Sequence, residues 1–112
     1  VSTLDALWSG LPVLSLAGDN QSARTGASIL HAAGLGELAV GSMAEYREMA
    51  LHLACDPAAL AALKARLRAN MATAPLFDTP RLGRHLEAGY REMVRRGRAG
   101  EAIGSFAAAQ VL

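Results

Sequence analysis

Ser2, Thr3 and Asp5 are the residues whose types and spacing suit chemistry, in the run Ser2-Thr3-Leu4-Asp5-Ala6-Leu7-Trp8. Two hydroxyls beside the free N–H groups of a helix start make a site for an anion. A carboxylate one turn further on can accept hydrogen bonds from sugar hydroxyls. An anion at the helix start with a sugar at the acid is the pattern of a nucleotide site at the edge of a parallel sheet. The same residues also suit a local role. Ser2 or Thr3 can cap the helix, Ser2 and Asp5 have capping-box spacing with Asp in place of Glu, and the helix dipole favours an acid there. Spacing alone leaves both readings open.

Positioning such a turn requires a helix, a corner and a strand. Leu4, Leu7 and Trp8 fall on one helical face. Gly10 can end the helix in a left-handed conformation, and Pro12 cannot continue it. Val13–Leu16 then reads as a buried strand. Ala17-Gly18-Asp19-Asn20-Gln21 is a loop in which Asp19 or Asn20 can cap the next helix, predicted over about 22–33. Gly26 lets a neighbour approach that helix closely. Arg24, in its first turn, faces either a phosphate, an acidic neighbour or solvent. Leu35–Val40 reads as an edge strand.

Four further signals order the rest. Ser42-Met43-Ala44-Glu45 is a capping box, opening a helix with Tyr46, Met49, Ala50 and Leu53 on one face. Asp56-Pro57 starts another helix, with the stripe Leu60, Leu63, Leu67 and Met71. Pro75 makes 72–78 a connection, with Leu76 and Phe77 tucked into the core. Thr79-Pro80 opens the last helix, whose apolar face is Leu82, Leu86, Tyr90 and Met93, with a Glu87–Arg91 pair at i,i+4. Gly97, Gly100 and Gly104 then loosen the tail, where Ile103 and Phe106 are candidates to dock.

Composition narrows the function classes. The 112 residues are 52% hydrophobic but only 4% aromatic, so the core must be aliphatic. A net charge of +1 gives no reason to expect nucleic acid. Cys55 is alone, so no internal disulfide or cysteine metal cluster can form, and in an Ala-Leu helix it is expected to be a small buried hydrophobe. His31, His52 and His85 lie on separate helices without ligand spacing, so no metal site is expected. No apolar run approaches the ~20 residues that span a bilayer, no signal peptide is evident, and no internal repeat occurs. A cytoplasmic location without membrane attachment is the expectation. The small number of strands predicts that this is the C-terminal part of a longer polypeptide.

The run Thr3 to Leu14, followed by Ala17-Gly18-Asp19 and Ser22-Ala23-Arg24-Thr25-Gly26-Ala27-Ser28, resembles the C-terminal end of the O-linked N-acetylglucosamine transferase family, including its SPINDLY-like members. Asp56-Pro57, Ala74-Pro75-Leu76-Phe77-Asp78 and Leu86-Glu87-Ala88-Gly89-Tyr90-Arg91-Glu92-Met93 keep the order and spacing. The resemblance spans roughly residues 1–106. Asp-Ala-Leu-Trp with its Gly-Leu-Pro-Val is its most specific part.

The resemblance implies an α/β fold of GT-B type. Residues 1–96 would be the rear half of a nucleotide-sugar-binding Rossmann-like domain, mostly helical with one or two short parallel strands, and 97–112 a flexible tail. It implies a protein O-glycosyltransferase moving N-acetylglucosamine from UDP-N-acetylglucosamine to Ser or Thr, with no metal cofactor. The implied partners are the nucleotide-sugar donor, a protein or peptide acceptor and the upstream part of the same enzyme, which usually carries tetratricopeptide repeats. The family's diphosphate-contacting pair, commonly Thr-Thr, falls on Val1 and Ser2, with Thr3 adjoining. Ser2 keeps the hydroxyl, whereas Val1 offers only backbone. The family's ribose-binding Asp falls on Asp5. The proton-transfer and diphosphate-neutralising residues lie upstream, so no catalytic residue is expected in this chain, which should be inactive alone. The competing readings are an N-glycosyltransferase, a transferase using another nucleotide sugar, and a non-catalytic helical interaction module.

Overall fold

The computed structural model describes residues 2–107. The chain forms two compact units, one through Phe77 and one from Asp78 onward.

In the first unit, helix α1 (Ser2–Trp8) leads through a turn to strand β1 (Ser15–Leu16), and helix α2 (Gln21–Ala32) returns to strand β2 (Ala39–Val40). The strands pair in parallel, Ser15 opposite Ala39 and Leu16 opposite Val40. Helices α3 (Met43–Cys55) and α4 (Pro57–Asn70) follow, then a 3-10 turn at Pro75–Phe77.

Local chemistry sets the boundaries. Gly10 ends α1 at φ 80°, where the N–H of Leu11 reaches Ala6 O at 2.9 Å. Asn20, not Asp19, caps α2, its Oδ1 accepting from the N–H of Ala23 at 2.9 Å. Ser42 Oγ accepts from the N–H of Glu45 at 3.2 Å, and the Glu45 carboxylate returns to the N–H of Gly41 at 2.8 Å. Asp56 Oδ1 accepts from the N–H groups of Ala58 and Ala59, both at 3.0 Å.

The core is aliphatic, as the composition requires. Leu7, Leu30, Ala33, Leu35, Leu38 and Leu67 are its buried cluster, with Val13, Leu14, Met49, Leu53, Leu63, Leu76 and Phe77 packed around it. Each fully buried leucine contributes about 1.5–3 kcal/mol by leaving water. Asn70 joins α4 to the end of α2, donating from Nδ2 to Ala33 O at 2.9 Å.

Several expectations are corrected. The first strand is two residues long rather than Val13–Leu16, because β2 offers only Ala39 and Val40 as partners; Val13 and Leu14 pack on the core without joining the ladder. Gly36–Leu38 is a 3-10 turn, so the predicted strand at Leu35–Val40 shrinks to its last two residues. Of Leu4, Leu7 and Trp8, read as one apolar helical face, only Leu7 is buried; Trp8 is 66% exposed and lies against Phe77, ring centroids 5.6 Å apart. Cys55 and Ala50 are exposed rather than buried, since both fall on the outer side of α3.

The second unit is helix α5 (Thr79–Ala99) and the segment after it. Asp78 rather than Thr79 caps α5, its Oδ1 accepting from the N–H of Arg81 at 2.9 Å. The helix runs through Gly97 to Gly100, which turns the chain at φ 67°. Leu82, Leu86, Tyr90 and Met93 form the expected stripe but are 49–61% exposed. No described helix is long and apolar enough to cross a membrane.

Candidate functional site

The first turn of α1 brings Ser2, Thr3 and Asp5 together. The helix begins at Ser2, so neither Ser2 nor Thr3 is its cap. Both lie within the described helix, and Val1 lies outside the described residues. Ser2 and Asp5 are exposed and Thr3 is half-buried. N–H groups of a helix's first turn have no acceptor within the helix, and they point the same way as its N-terminus.

Asp5 is distinguished by what its side chain does not do. The other acids at helix starts are engaged within the fold: Asp56 and Asp78 accept from backbone N–H groups, Glu45 accepts from Gly41, and Glu37 pairs with Arg66. The Asp5 carboxylate has no hydrogen-bond or ion-pair partner among the described residues. Only its backbone oxygen is used, accepting from Ser9 Oγ at 2.8 Å. An exposed, unengaged acid on a rigid turn can accept two hydroxyl hydrogen bonds from outside the chain.

The support behind this turn is firm. Leu7, one turn below Thr3, is fully buried in the core. The β1–α2–β2 crossover holds the adjoining loop. At its close-packed point, a Cβ built on Gly26 would lie 2.5 Å from Ser15 Oγ. The N-terminus of α2 follows the carboxyl end of β1, the sheet edge at which ligands sit in parallel α/β arrangements. Arg24 is exposed there and makes no ion pair among the described residues, so the acidic-neighbour reading finds no partner. It lines a shallow groove with Gln21, Thr25, Ser28 and Ile29. This groove does not include Ser2, Thr3 or Asp5.

Among the described residues, no cluster of three His, Cys, Asp or Glu is arranged to hold a metal. The electrostatic feature that sequence spacing only half revealed is on α5. Glu87–Arg91 forms as expected at 3.4 Å, but the stronger network is Glu92 with Arg95 at 2.8 Å and Arg96 at 2.7 Å. Hydrogen bonds from Arg95 and Arg96 hold the Glu92 carboxyl down to about 2. The i,i+3 and i,i+4 spacings were the available signal.

Comparison with known proteins gives the family. The family model for glycosyl transferase family 41 matches residues 1–86. The chain is 40% identical over 101 residues to the probable UDP-N-acetylglucosamine–peptide N-acetylglucosaminyltransferase SPINDLY of Oryza sativa subsp. japonica, covering 90% of this chain and 11% of that protein. It is 41% identical over 90 residues to the probable UDP-N-acetylglucosamine–peptide N-acetylglucosaminyltransferase SEC of Arabidopsis thaliana, covering 80% and 9%. The SPINDLY protein of Petunia hybrida is 36% identical over 95 residues, covering 85% and 10%. The chain thus spans about a tenth of the length of the curated relatives it matches.

Proposed function

The chain belongs to glycosyl transferase family 41, and from that premise we propose that it forms the donor-binding part of a protein O-glycosyltransferase. The donor is a UDP-sugar, with UDP-N-acetylglucosamine the first choice because the matched relatives carry that donor in their names. The acceptor is Ser or Thr of a protein. The single observation that carries the reading is Asp5, a first-turn acid exposed and without a partner among the described residues.

Sugar transfer leaves negative charge on the departing diphosphate. Amides fixed at a helix start stabilise that charge without reorganising. Ser2 adds a hydroxyl donor, Thr3 continues the same turn, and Val1 contributes through its backbone. Asp5 accepts from the ribose hydroxyls and sets the nucleotide's orientation. The α1–β1–α2–β2 order is consistent with the rear of a GT-B Rossmann-like domain, whose remaining strands come from the rest of the polypeptide. An open half-site fits that division, because the facing wall of the cleft and the proton-transfer groups lie elsewhere in the enzyme. The 112 residues alone should bind donor weakly and turn over none.

The test is Asp5→Ala in the protein that includes the preceding polypeptide. Loss of charge-assisted hydrogen bonds worth about 1.5–3 kcal/mol weakens UDP binding roughly 10- to 100-fold by calorimetry. Thermal stability changes little, since the carboxylate gives the fold only its dipole contribution of about 0.3–1 kcal/mol. Unaltered UDP affinity with a lowered Tm would return Asp5 to a purely local helix-start role. A parallel titration with UDP- and GDP-sugars fixes the base.

A further inference from the structure

The end of α5 carries a charge network that reaches beyond the helix. Gly100 turns the chain in a left-handed conformation, its N–H reaching Gly97 O at 3.2 Å, and the N–H of Glu101 returns to Arg96 O at 3.1 Å. This double closure reverses the backbone. It places the Glu101 carboxylate 2.9 Å from Arg95 Nη1 and 3.8 Å from Arg96 Nε. Glu92, one turn back on the helix, accepts from the same two arginines. The Arg96 guanidinium then lies over the Phe106 ring, 4.6 Å from its centroid. The segment so held runs back along α5. Between them is an open groove of about 420 Å3, with Leu86, Tyr90 and Met93 on the helix side and Gly104 and Phe106 on the other.

We infer that residues 100–106 are an electrostatic strap that lies along one edge of the apolar face of α5 and is released by salt. Beyond the Gly100 turn, the ion pairs of Glu101 with Arg95 and Arg96 and the Arg96–Phe106 cation–π contact hold the segment against the helix. Apolar anchoring is slight, since Ile103 is fully exposed and Phe106 only partly buried. Ion pairs open to solvent are weak and strongly screened. The helix needs none of them, because Asp78 caps its start and the Gly100 turn closes its end. The strap therefore opens without melting α5. Glu92 keeps both arginines aligned in either state, which leaves Glu101 as the detachable link. Opening extends the exposed stripe of Leu86, Tyr90 and Met93 by the area that Phe106 and Gly104 cover.

The test is backbone 15N relaxation on the 112-residue chain. At low salt the heteronuclear NOE values of residues 101–106 should approach those of α5. About 1 M NaCl, where the Debye length is about 3 Å, should lower them to loop values while α5 chemical shifts stay helical. Glu101→Gln should do the same at low salt, and Glu87→Gln, on the neighbouring pair, should not. Binding of the apolar dye ANS should rise as the strap opens. Low NOE values in the unsubstituted chain at low salt, or high values that persist in Glu101→Gln and in salt, would overturn the inference.

Discussion

Replacing Gly26 with Ala sets two opposed effects against each other at the point where α2 meets β1. In a helix interior, Gly→Ala gains about 1 kcal/mol of helix propensity. The new Cβ, however, would stand 2.5 Å from Ser15 Oγ and 3.3 Å from Ser15 Cβ. Rotation about χ1 can move the hydroxyl away. The Cβ contact cannot be relieved that way, so α2 must back off β1 by a few tenths of an ångström. Ser15 is fixed by its pairing with Ala39, so the strain falls on packing between the layers. Overpacking of this kind costs about 1–3 kcal/mol, leaving a net loss of about 0–2 kcal/mol. Urea unfolding followed by Trp8 fluorescence measures it, because Trp8 lies against Phe77 in the same unit. The midpoint should fall at constant m. In a Ser15→Ala background only the 3.3 Å contact remains, so Gly26→Ala should cost less there. In a Ser15→Gly background it should recover the full propensity gain. That ordering defines a coupling energy between the two positions. If Gly26→Ala stabilises the unsubstituted chain by the whole ~1 kcal/mol, α2 does not approach β1 this closely, and the support drawn behind the α1 site is wrong.

Two further perturbations probe other parts of the fold. Leu67→Ala, at a fully buried position, should cost about 2–5 kcal/mol in the same urea assay. Leu82→Ala, 57% exposed on α5, should cost less than ~1 kcal/mol, and equal losses would refute the placing of Leu67 inside the core and Leu82 outside it. The Glu92 carboxyl faces Arg95 and Arg96, with Glu101 as the other acid on those arginines, and is held at about 2 against an ordinary 4.5. A depressed carboxyl contributes stability that is whole above its ordinary value and is lost as pH falls through the folded one. Order at the end of α5 should therefore survive below 4.5 and fade toward about 2, followed by the Glu92 carboxyl 13C shift; a midpoint near 4.5 would refute the network.

The caps and corners of the fold were legible because each is a contract between neighbours in sequence. Ser42 with Glu45, Asp56 before Pro57, and Gly10 before Pro12 depend on a few adjacent residues, and all three form. Gly26 was legible for another reason: a glycine inside an Ala-rich helix gives up propensity, and close approach by Ser15 offsets that loss. Strand length was not legible. Val13 and Leu14 have the same strand-like character as Leu16, but a strand extends only as far as its partner, and β2 supplies two residues. Cys55 was misplaced because its residue type favours burial while its position on α3 faces outward.

The same limit explains the contrast between α4 and α5. Leu60, Leu63, Leu67 and Met71 repeat at helical spacing, and so do Leu82, Leu86, Tyr90 and Met93. Periodicity says which side of a helix is apolar and nothing about what meets it. On α4 the stripe ends in the fully buried Leu67, while on α5 all four residues stay half-exposed or more. The site at α1 follows the opposite logic. Its spacing left a local helix-start role open, and the sequence could not decide the matter because a cap acid and a ligand acid are the same residue in the same place. The structure adds occupancy: Asp56 and Asp78 spend their carboxylates on backbone N–H groups, and Asp5 does not among the described residues. A carboxylate unengaged among the described residues, on a turn anchored by the buried Leu7, is what supports the ligand role proposed for Asp5.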